Sequence, residues 1–376
     1  MQHPHKTQIL SRARRVVIKV GSSTLSDTNG IKRESIAHLA RNLAALHAAG
    51  KEVVVVTSGA VAAGMSRLGM KERPRTIPAK QAAAAVGQIN LMAVYEEYCA
   101  AHNVRVAQIL LTHDDLANRR RYLNAKHTLL TLLEAGVLPI VNENDTVAVE
   151  EIQFGDNDNL SALVAVLIEA DVLVILSDVE GLYDQDPRAH PEAQLIPLVE
   201  QFDEGVVDAC GSAGPLGRGG MASKLAAARK AILSGIPTII ADGRQPEILT
   251  AVFDPTVESG TLFLPVADRL TSRKHWIAYT LKPAGELLID AGASTAIRER
   301  GRSLLPAGVR EVRGVFDEGE CVTCVDDRGR TFARGLANYS ATDLERIKGV
   351  HTSRIEEILG YKISDEVIHR DDLALL

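Results

Sequence analysis

Over the first 265 residues, short runs rich in Val and Ile alternate with longer stretches rich in Ala and Leu. The short runs cover residues 16–20, 53–57, 106–111, 138–141, 172–176, 238–241 and 261–264, and they are apolar throughout instead of alternating. That pattern predicts strands buried on both faces. Residues 33–49, 79–102, 115–135, 160–170 and 221–233 predict helices, several closed by a glycine such as Gly50, Gly136 or Gly235. Strand and helix alternating with right-handed crossovers make a three-layer αβα sandwich around a mostly parallel open sheet. The first domain is expected over residues 1–265.

The texture changes after Pro265. Residues 268–276 read as a short helical linker and 282–285 as a turn, which places a linker at 266–282. Short, glycine-punctuated strands then follow at 287–290, 309–314, 320–325 and 331–336, predicting a small β-rich, barrel-like domain over 283–376.

Composition removes several classes of function. The 376 residues carry 42 Lys and Arg against 48 Asp and Glu, a net charge of −6, which argues against a chain built to coat nucleic acid or an anionic membrane. From residue 282 onward, 14 basic residues face 17 acidic ones, a net of −3, and aromatics are 4% overall. RNA binding as the main task is therefore disfavoured. No apolar run reaches 18 residues and residues 1–15 are polar and basic, so neither a membrane span nor a signal peptide is expected and the setting is cytoplasmic. Four cysteines make no disulfide framework. Cys321 and Cys324 lie in a strand-like run where residues three apart point to opposite faces, and no second ligand pair follows, so no zinc site is expected.

In open parallel sheets, ligands sit beyond the carboxyl ends of the strands. Lys19-Val-Gly-Ser-Ser23 closes the first strand with a lysine and a Gly-Ser turn suited to an anion. Thr57-Ser-Gly-Ala60 closes the second and opens a helix, and Ser177-Asp178 follows the run at 172–176. Five glycines among residues 211–220, running on to Lys224, let backbone N–H groups approach phosphate closely. This loop matches neither the P-loop nor the dinucleotide fingerprint. The sharpest segment is 142–161, where Asp and Asn cluster at Asn142, Asn144, Asp145 and Asp156–Asn159. Asp158 or Asn159 is expected to cap the next helix, but a cap uses one such residue. An EF-hand is excluded because its glycine and glutamate positions are not filled.

With these residues assembled, the segment 142–161 resembles the substrate loop of the glutamate 5-kinase family, in the amino acid kinase superfamily. The likeness covers nearly the whole chain. It includes Val17-Ile-Lys-Val-Gly-Ser22, Ser58-Gly-Ala60, the stretch 181–188 and Gly219-Gly-Met221, and a tail that resembles a PUA domain. Sibling kinases for acetylglutamate, aspartate or UMP share the superfamily pieces but neither the 142–161 run nor this tail.

The resemblance implies transfer of the ATP γ-phosphoryl group to the side-chain carboxylate of glutamate, the first step of proline biosynthesis. It implies catalytic roles for Lys19, Asp158 and Lys224, with Asp158 orienting the two lysines, and glutamate contacts from Ser58, Asp145 and Asn157, supported by Asn142. On the nucleotide side it implies Lys19, Ser177, Asp178 and the stretch Arg218, Gly219, Gly220, Met221, Ala222, Ser223 and Lys224. Arg218 stands where some members carry a small hydroxyl residue. Mg²⁺ is expected to be carried by ATP, with no protein ligand assigned. The family further implies proline feedback inhibition, a dimer or tetramer, and γ-glutamyl phosphate reductase as a partner.

Overall fold

The computed structural model describes residues 4–27, 30–147, 157–187, 189–202, 220–254, 256–265, 274, 277–278, 281 and 283–376. The chain divides into two compact units, residues 1–117 with 125–266, and residues 267–376 with 118–124.

Among the described residues, the main sheet of the first unit has eight strands: β1 (Arg15–Val20), β2 (Glu52–Val56), β3 (Arg105–Leu111), β4 (Val137–Glu143), β5 (Val172–Ser177), β6 (Leu198–Val199), β7 (Thr238–Asp242) and β8 (Thr261–Phe263). They lie in the order β3-β4-β2-β1-β5-β7-β8-β6, all parallel except the β7/β8 pair. Lys19 pairs in register with Val56 on one side and Ile175 on the other, and Ser177 pairs with Asp242. The carboxyl ends of β1, β2, β4, β5 and β7 therefore share one edge of the sheet.

Strand parity divides what these ends present. Val16, Ile18, Val20, Val55, Ile140, Leu176 and Ala241 belong to one core, with side chains from α1 (Arg33–Ala48), α3 (Ile77–Ala100) and α6 (Ile248–Phe253). Successive strand residues face opposite ways, so Lys19, Ser177 and Asp242 face the other layer. That layer holds α4 (Asn157–Leu167), which contacts β1 and β5, and α5 (Met221–Leu233), which contacts β5 and α4.

Between α3 and α2 (Ala60–Arg67) there is almost no space. A Cβ added at Gly64 would lie 1.7 Å from the Ala83 carbonyl oxygen, and one at Gly87 would lie 1.8 Å from that of Ala60. Only glycine permits this backbone approach.

Several expectations change at the element ends. The helix expected at 115–135 is two helices, His113–Ala117 and Arg119–Glu134. Thr112 and Asp115 cap the first reciprocally, and the Asn118 side chain accepts from the Arg121 N–H to start the second. The strand expected at 138–141 runs on to Glu143, because β3 continues to pair with it at Asn142 and Glu143. β3 itself, expected to be buried on both faces, is an edge strand that exposes Arg105 and Gln108.

The second unit is a five-stranded sheet of Gly285–Ile289, Val309–Gly314, Cys321–Val325, Thr331–Leu336 and Leu373–Leu375. Helices Ala291–Arg300 and Ala341–Ile347 and a short helix Ile355–Leu359 join the strands, so this β-rich unit carries more helix than its sequence suggests. Cys321 and Cys324 are both buried and belong to different cores on opposite faces of their strand. Burial holds both thiols above their ordinary range, Cys324 at about 12, which leaves them protonated and inert. The linker expected at 268–276 lies almost wholly outside the described residues. Ile277 and Ala278 pack with Cys321, Leu336 and Ala374 within the second unit.

Candidate active site

At the edge where the strands end, one carboxylate organises two lysines. Asp158, in the first turn of α4, is fully buried. Its Oδ1 pairs with Lys19 Nζ from β1, and its Oδ2 lies 3.4 Å from Lys224 Nζ in α5. Ser223 Oγ donates to the same Oδ2 at 2.7 Å. Lys19 and Lys224 are 4% and 5% exposed. Burial by itself would raise the Asp158 carboxyl, but the charges of Lys19 and Lys224, with hydrogen bonds from Lys19 and Ser223, hold it below the usual carboxylate value. The site thus keeps a fixed negative charge between two ammonium groups.

This geometry corrects one expectation. Neither Asp158 nor Asn159 caps α4. Both lie inside the helix, and Asn159 Oδ1 accepts from Lys230 Nζ at 2.5 Å. The two side chains tie α4 to α5.

Beside Asp158, α5 begins at Gly220, whose extended backbone (φ −75°, ψ −176°) precedes Met221, Ala222 and Ser223 in the first turn. The N–H groups of a first turn have no partners within the helix, so this end offers donors and positive potential next to the lysines. Ser177 is buried at the end of β5, and its hydroxyl donates to Asp178 at 3.2 Å. Arg218 and Gly219 lie outside the described residues.

A second cluster lies on the side of β2 and β4. Asn157 Nδ2 donates to Ser58 Oγ at 3.0 Å and to Asn142 Oδ1 at 3.2 Å. Asn142 Nδ2 donates in turn to Gln88 Oε1 at 2.8 Å. Ser58 is held by a sharp turn in which Gly59 takes φ +99° before α2 begins, a conformation that any residue bearing a Cβ resists. Asp145 follows β4 and is half-buried, and burial pushes its carboxyl up to about 6. Residues 148–156 of the loop lie outside the described residues.

Two residues here were not anticipated from sequence. Gln88 lies mid-helix in α3 with no motif around it, and only the crossing of α3 over α2 brings it to Asn142. Asp242 ends β7 and is held by a two-pronged ion pair from Arg244, at 2.9 and 2.8 Å. The strand-end rule applied to β7 would have drawn attention to it. Among the described residues, no group of three or more His, Cys, Asp or Glu is arranged to hold a metal ion.

Residues 14–242 match the model of the amino acid kinase family, and residues 285–359 match the PUA domain. The chain is 51% identical to a glutamate 5-kinase of Syntrophotalea carbinolica, over 98% of this chain and 99% of that protein. It is 52% and 54% identical to glutamate 5-kinases of Geobacter sulfurreducens and Geobacter metallireducens, in each case over 99% of this chain and all of the relative.

Proposed function

The chain belongs to the amino acid kinase family and, within it, to the glutamate 5-kinases, and from that premise we propose how its site phosphorylates glutamate. ATP donates its γ-phosphoryl group to the side-chain carboxylate of L-glutamate, giving L-glutamyl 5-phosphate and ADP, the opening reaction of proline biosynthesis. The observation that carries the reading is the buried Lys19–Asp158–Lys224 triad beside the start of α5.

The nucleophile needs no activation. A glutamate side chain, with an ordinary pKa of about 4.3, is ionised at neutral pH. The difficulty is repulsion, since an anion must approach a polyanion through a loose transition state. Lys19 and Lys224, fixed by Asp158, put two positive charges where the transferring oxygens pass, and the α5 N-terminus adds donors. Because Asp158 and the surrounding packing fix these groups before substrate arrives, little reorganisation accompanies the reaction. No described residue is assigned to a metal; a Mg²⁺ ion brought in with ATP would offset the charge of the phosphates. Ser177 and Asp178, at the end of β5, would serve the nucleotide.

The other cluster selects the amino acid. Its α-ammonium needs an anion, and Asp145 supplies one from a half-buried position. Ser58 and Asn157 contact the substrate, with Asn142 holding Asn157. Proline, another α-amino acid, would use the same Asp145 when it inhibits. The labile acyl phosphate would pass to γ-glutamyl phosphate reductase, and a dimer or tetramer is the expected assembly. No described helix is long and apolar enough to cross a membrane.

The decisive assay follows ADP release with glutamate, N-acetylglutamate, aspartate and UMP as acceptors. Turnover confined to glutamate is expected, and activity on N-acetylglutamate alone would sink the assignment. The Asp145 carboxyl adds a pH signature. Raised to about 6 by burial, it is increasingly protonated below that pH and then offers the ammonium no charge. The KM for glutamate should rise about tenfold per pH unit below 6 and level off above it, with the KM for ATP unaffected. Asp145→Asn should abolish that dependence and raise the KM for glutamate about 10- to 100-fold at pH 8. A KM for glutamate that stays flat from pH 5 to 7 in the parent enzyme would remove Asp145 from this role.

A further inference from the structure

A chain of side-chain hydrogen bonds runs from Ser58 through Asn157 and Asn142 to Gln88. Side-chain amides can be turned end for end, so the direction of such a chain is set by whichever member cannot turn. Here that member is the backbone N–H of Glu143, which can only donate and which meets Asn142 Oδ1 at 3.0 Å. Asn142 Oδ1 is therefore the acceptor, and it receives Asn157 Nδ2 as well. Asn142 Nδ2 is the donor, and Gln88 must turn its oxygen toward it.

Two atoms are left over by this ordering. Gln88 Nε2, a donor, and Asn157 Oδ1, an acceptor, are both buried without a hydrogen-bond partner. Gln88 as a whole is 8% exposed, and Gly87 next to it rests against Ala60 in the turn that carries Ser58. Buried polar groups are nearly always paired in folded proteins, so an unmatched donor and acceptor within one hydrogen-bonded cluster call for a ligand.

An α-amino acid has the complementary groups, an ammonium that only donates and a carboxylate that only accepts. Resting on the glutamate reading above, we propose that Gln88 Nε2 donates to the substrate's α-carboxylate while Asn157 Oδ1 joins Asp145 in accepting from its α-ammonium. Gln88 is then a specificity-determining residue, and the Glu143 backbone, acting through Asn142, fixes which end of the amino acid each amide receives. An analogue with a neutral α-carboxamide forfeits the charge-assisted bond to Gln88.

The test compares glutamate with its α-carboxamide analogue, both of which keep the reacting side-chain carboxylate. In Gln88→Met the kcat/KM for glutamate should fall on the order of 10- to 100-fold, the range for losing a hydrogen bond to a charged group. The kcat/KM for the carboxamide should fall several-fold less and the KM for ATP should not change, so the ratio of glutamate to carboxamide collapses. If Gln88 merely supported Asn142, both substrates would suffer equally and the ratio would stand, which would overturn the proposal. Gln88→Asn withdraws the donor by one methylene and keeps both amide atoms, and it carries the same comparison if the methionine variant does not fold. Glutamate turnover by the parent enzyme separates the two levels. Its absence would sink the kinase reading itself, whereas its presence with an unchanged ratio sinks only the role given to Gln88.

Discussion

Asp158→Asn should reduce kcat on the order of 10³-fold, more than any other single change at this site. The carboxamide nearly matches the carboxylate in shape, so the packing of α4 survives and only the charge is lost. Two buried ammonium groups, from Lys19 and Lys224, then face each other without the anion that separates them. Removing one partner of a buried ion pair typically costs about 3–5 kcal/mol, because the remaining charge stays desolvated. The variant should therefore show a lowered melting temperature as well as lost turnover. The loss should fall mainly on kcat, since in the proposed mechanism Asp158 holds the two lysines that meet the phosphates, and their value is greatest in the transition state. Steady-state kinetics at saturating ATP and glutamate check this, and a variant keeping a tenth of the parent kcat would show that the triad is structural. A pH effect accompanies it. Burial raises the Asp158 carboxyl, but the two lysines pull it below the ordinary carboxylate value. Its contribution to stability is therefore complete above the unfolded value of about 4 and lost as pH falls through the lowered folded value. In Asp158→Asn that part of the acid sensitivity should disappear.

Gly87→Ala should be the most damaging change remote from the chemistry. A methyl group there would lie 1.8 Å from the Ala60 carbonyl oxygen and 2.4 Å from the Gly64 N, both backbone atoms that cannot swing aside. Helices α2 and α3 would have to separate by more than an ångström, against a well-packed core. Overpacking of this kind costs about 3 kcal/mol, which for a unit of this size lowers the melting temperature by about 6–12 °C. Moving α3 also draws Gln88 from Asn142 and Tyr95 from the Thr57 hydroxyl, which it meets at 2.9 Å. The KM for glutamate should rise while the KM for ATP changes little, because Lys19 and Lys224 are held from the opposite layer. Scanning calorimetry with paired kinetics checks both parts, and a melting temperature within 2 °C of the parent would contradict the close approach.

The two predictions concern different layers of the sheet, and strand parity explains the division. Lys19 faces α4 and α5, where the charged triad gathers, whereas Asn142 faces α3 and meets Gln88. The lysine–aspartate triad and the amide cluster, to which we assign the phosphates and the amino acid, thus share one sheet edge while resting on separate helical supports. Ser58 and Asn157 join them, since Asn157 precedes Asp158 on α4 and reaches across to the turn after β2.

Much of this could be read from the order of residues alone. Runs of Val and Ile that do not alternate point to strands covered on both sides, so the layered sheet followed from hydrophobic spacing, the edge strand β3 excepted. The polar residues at or just beyond the ends of those runs, Lys19, Ser58, Asn142 and Ser177, were legible for the same reason, because a parallel sheet gathers its strand ends at one edge. Their partners did not follow from residue spacing. Asp158 suggested a helix cap by its position, its place between the two lysines came from the family resemblance alone, and the packing of α4 against β1 and α5 is what brings the three together from opposite ends of the unit. Gln88 carried no signal, since a glutamine in the middle of an alanine-rich helix becomes polar machinery only when a pair of glycines lets that helix sink against its neighbour. Local spacing fixes periodicity and therefore which face a residue occupies. Which distant side chain comes to meet it is settled by the contact of whole elements, which no stretch of sequence encodes by itself.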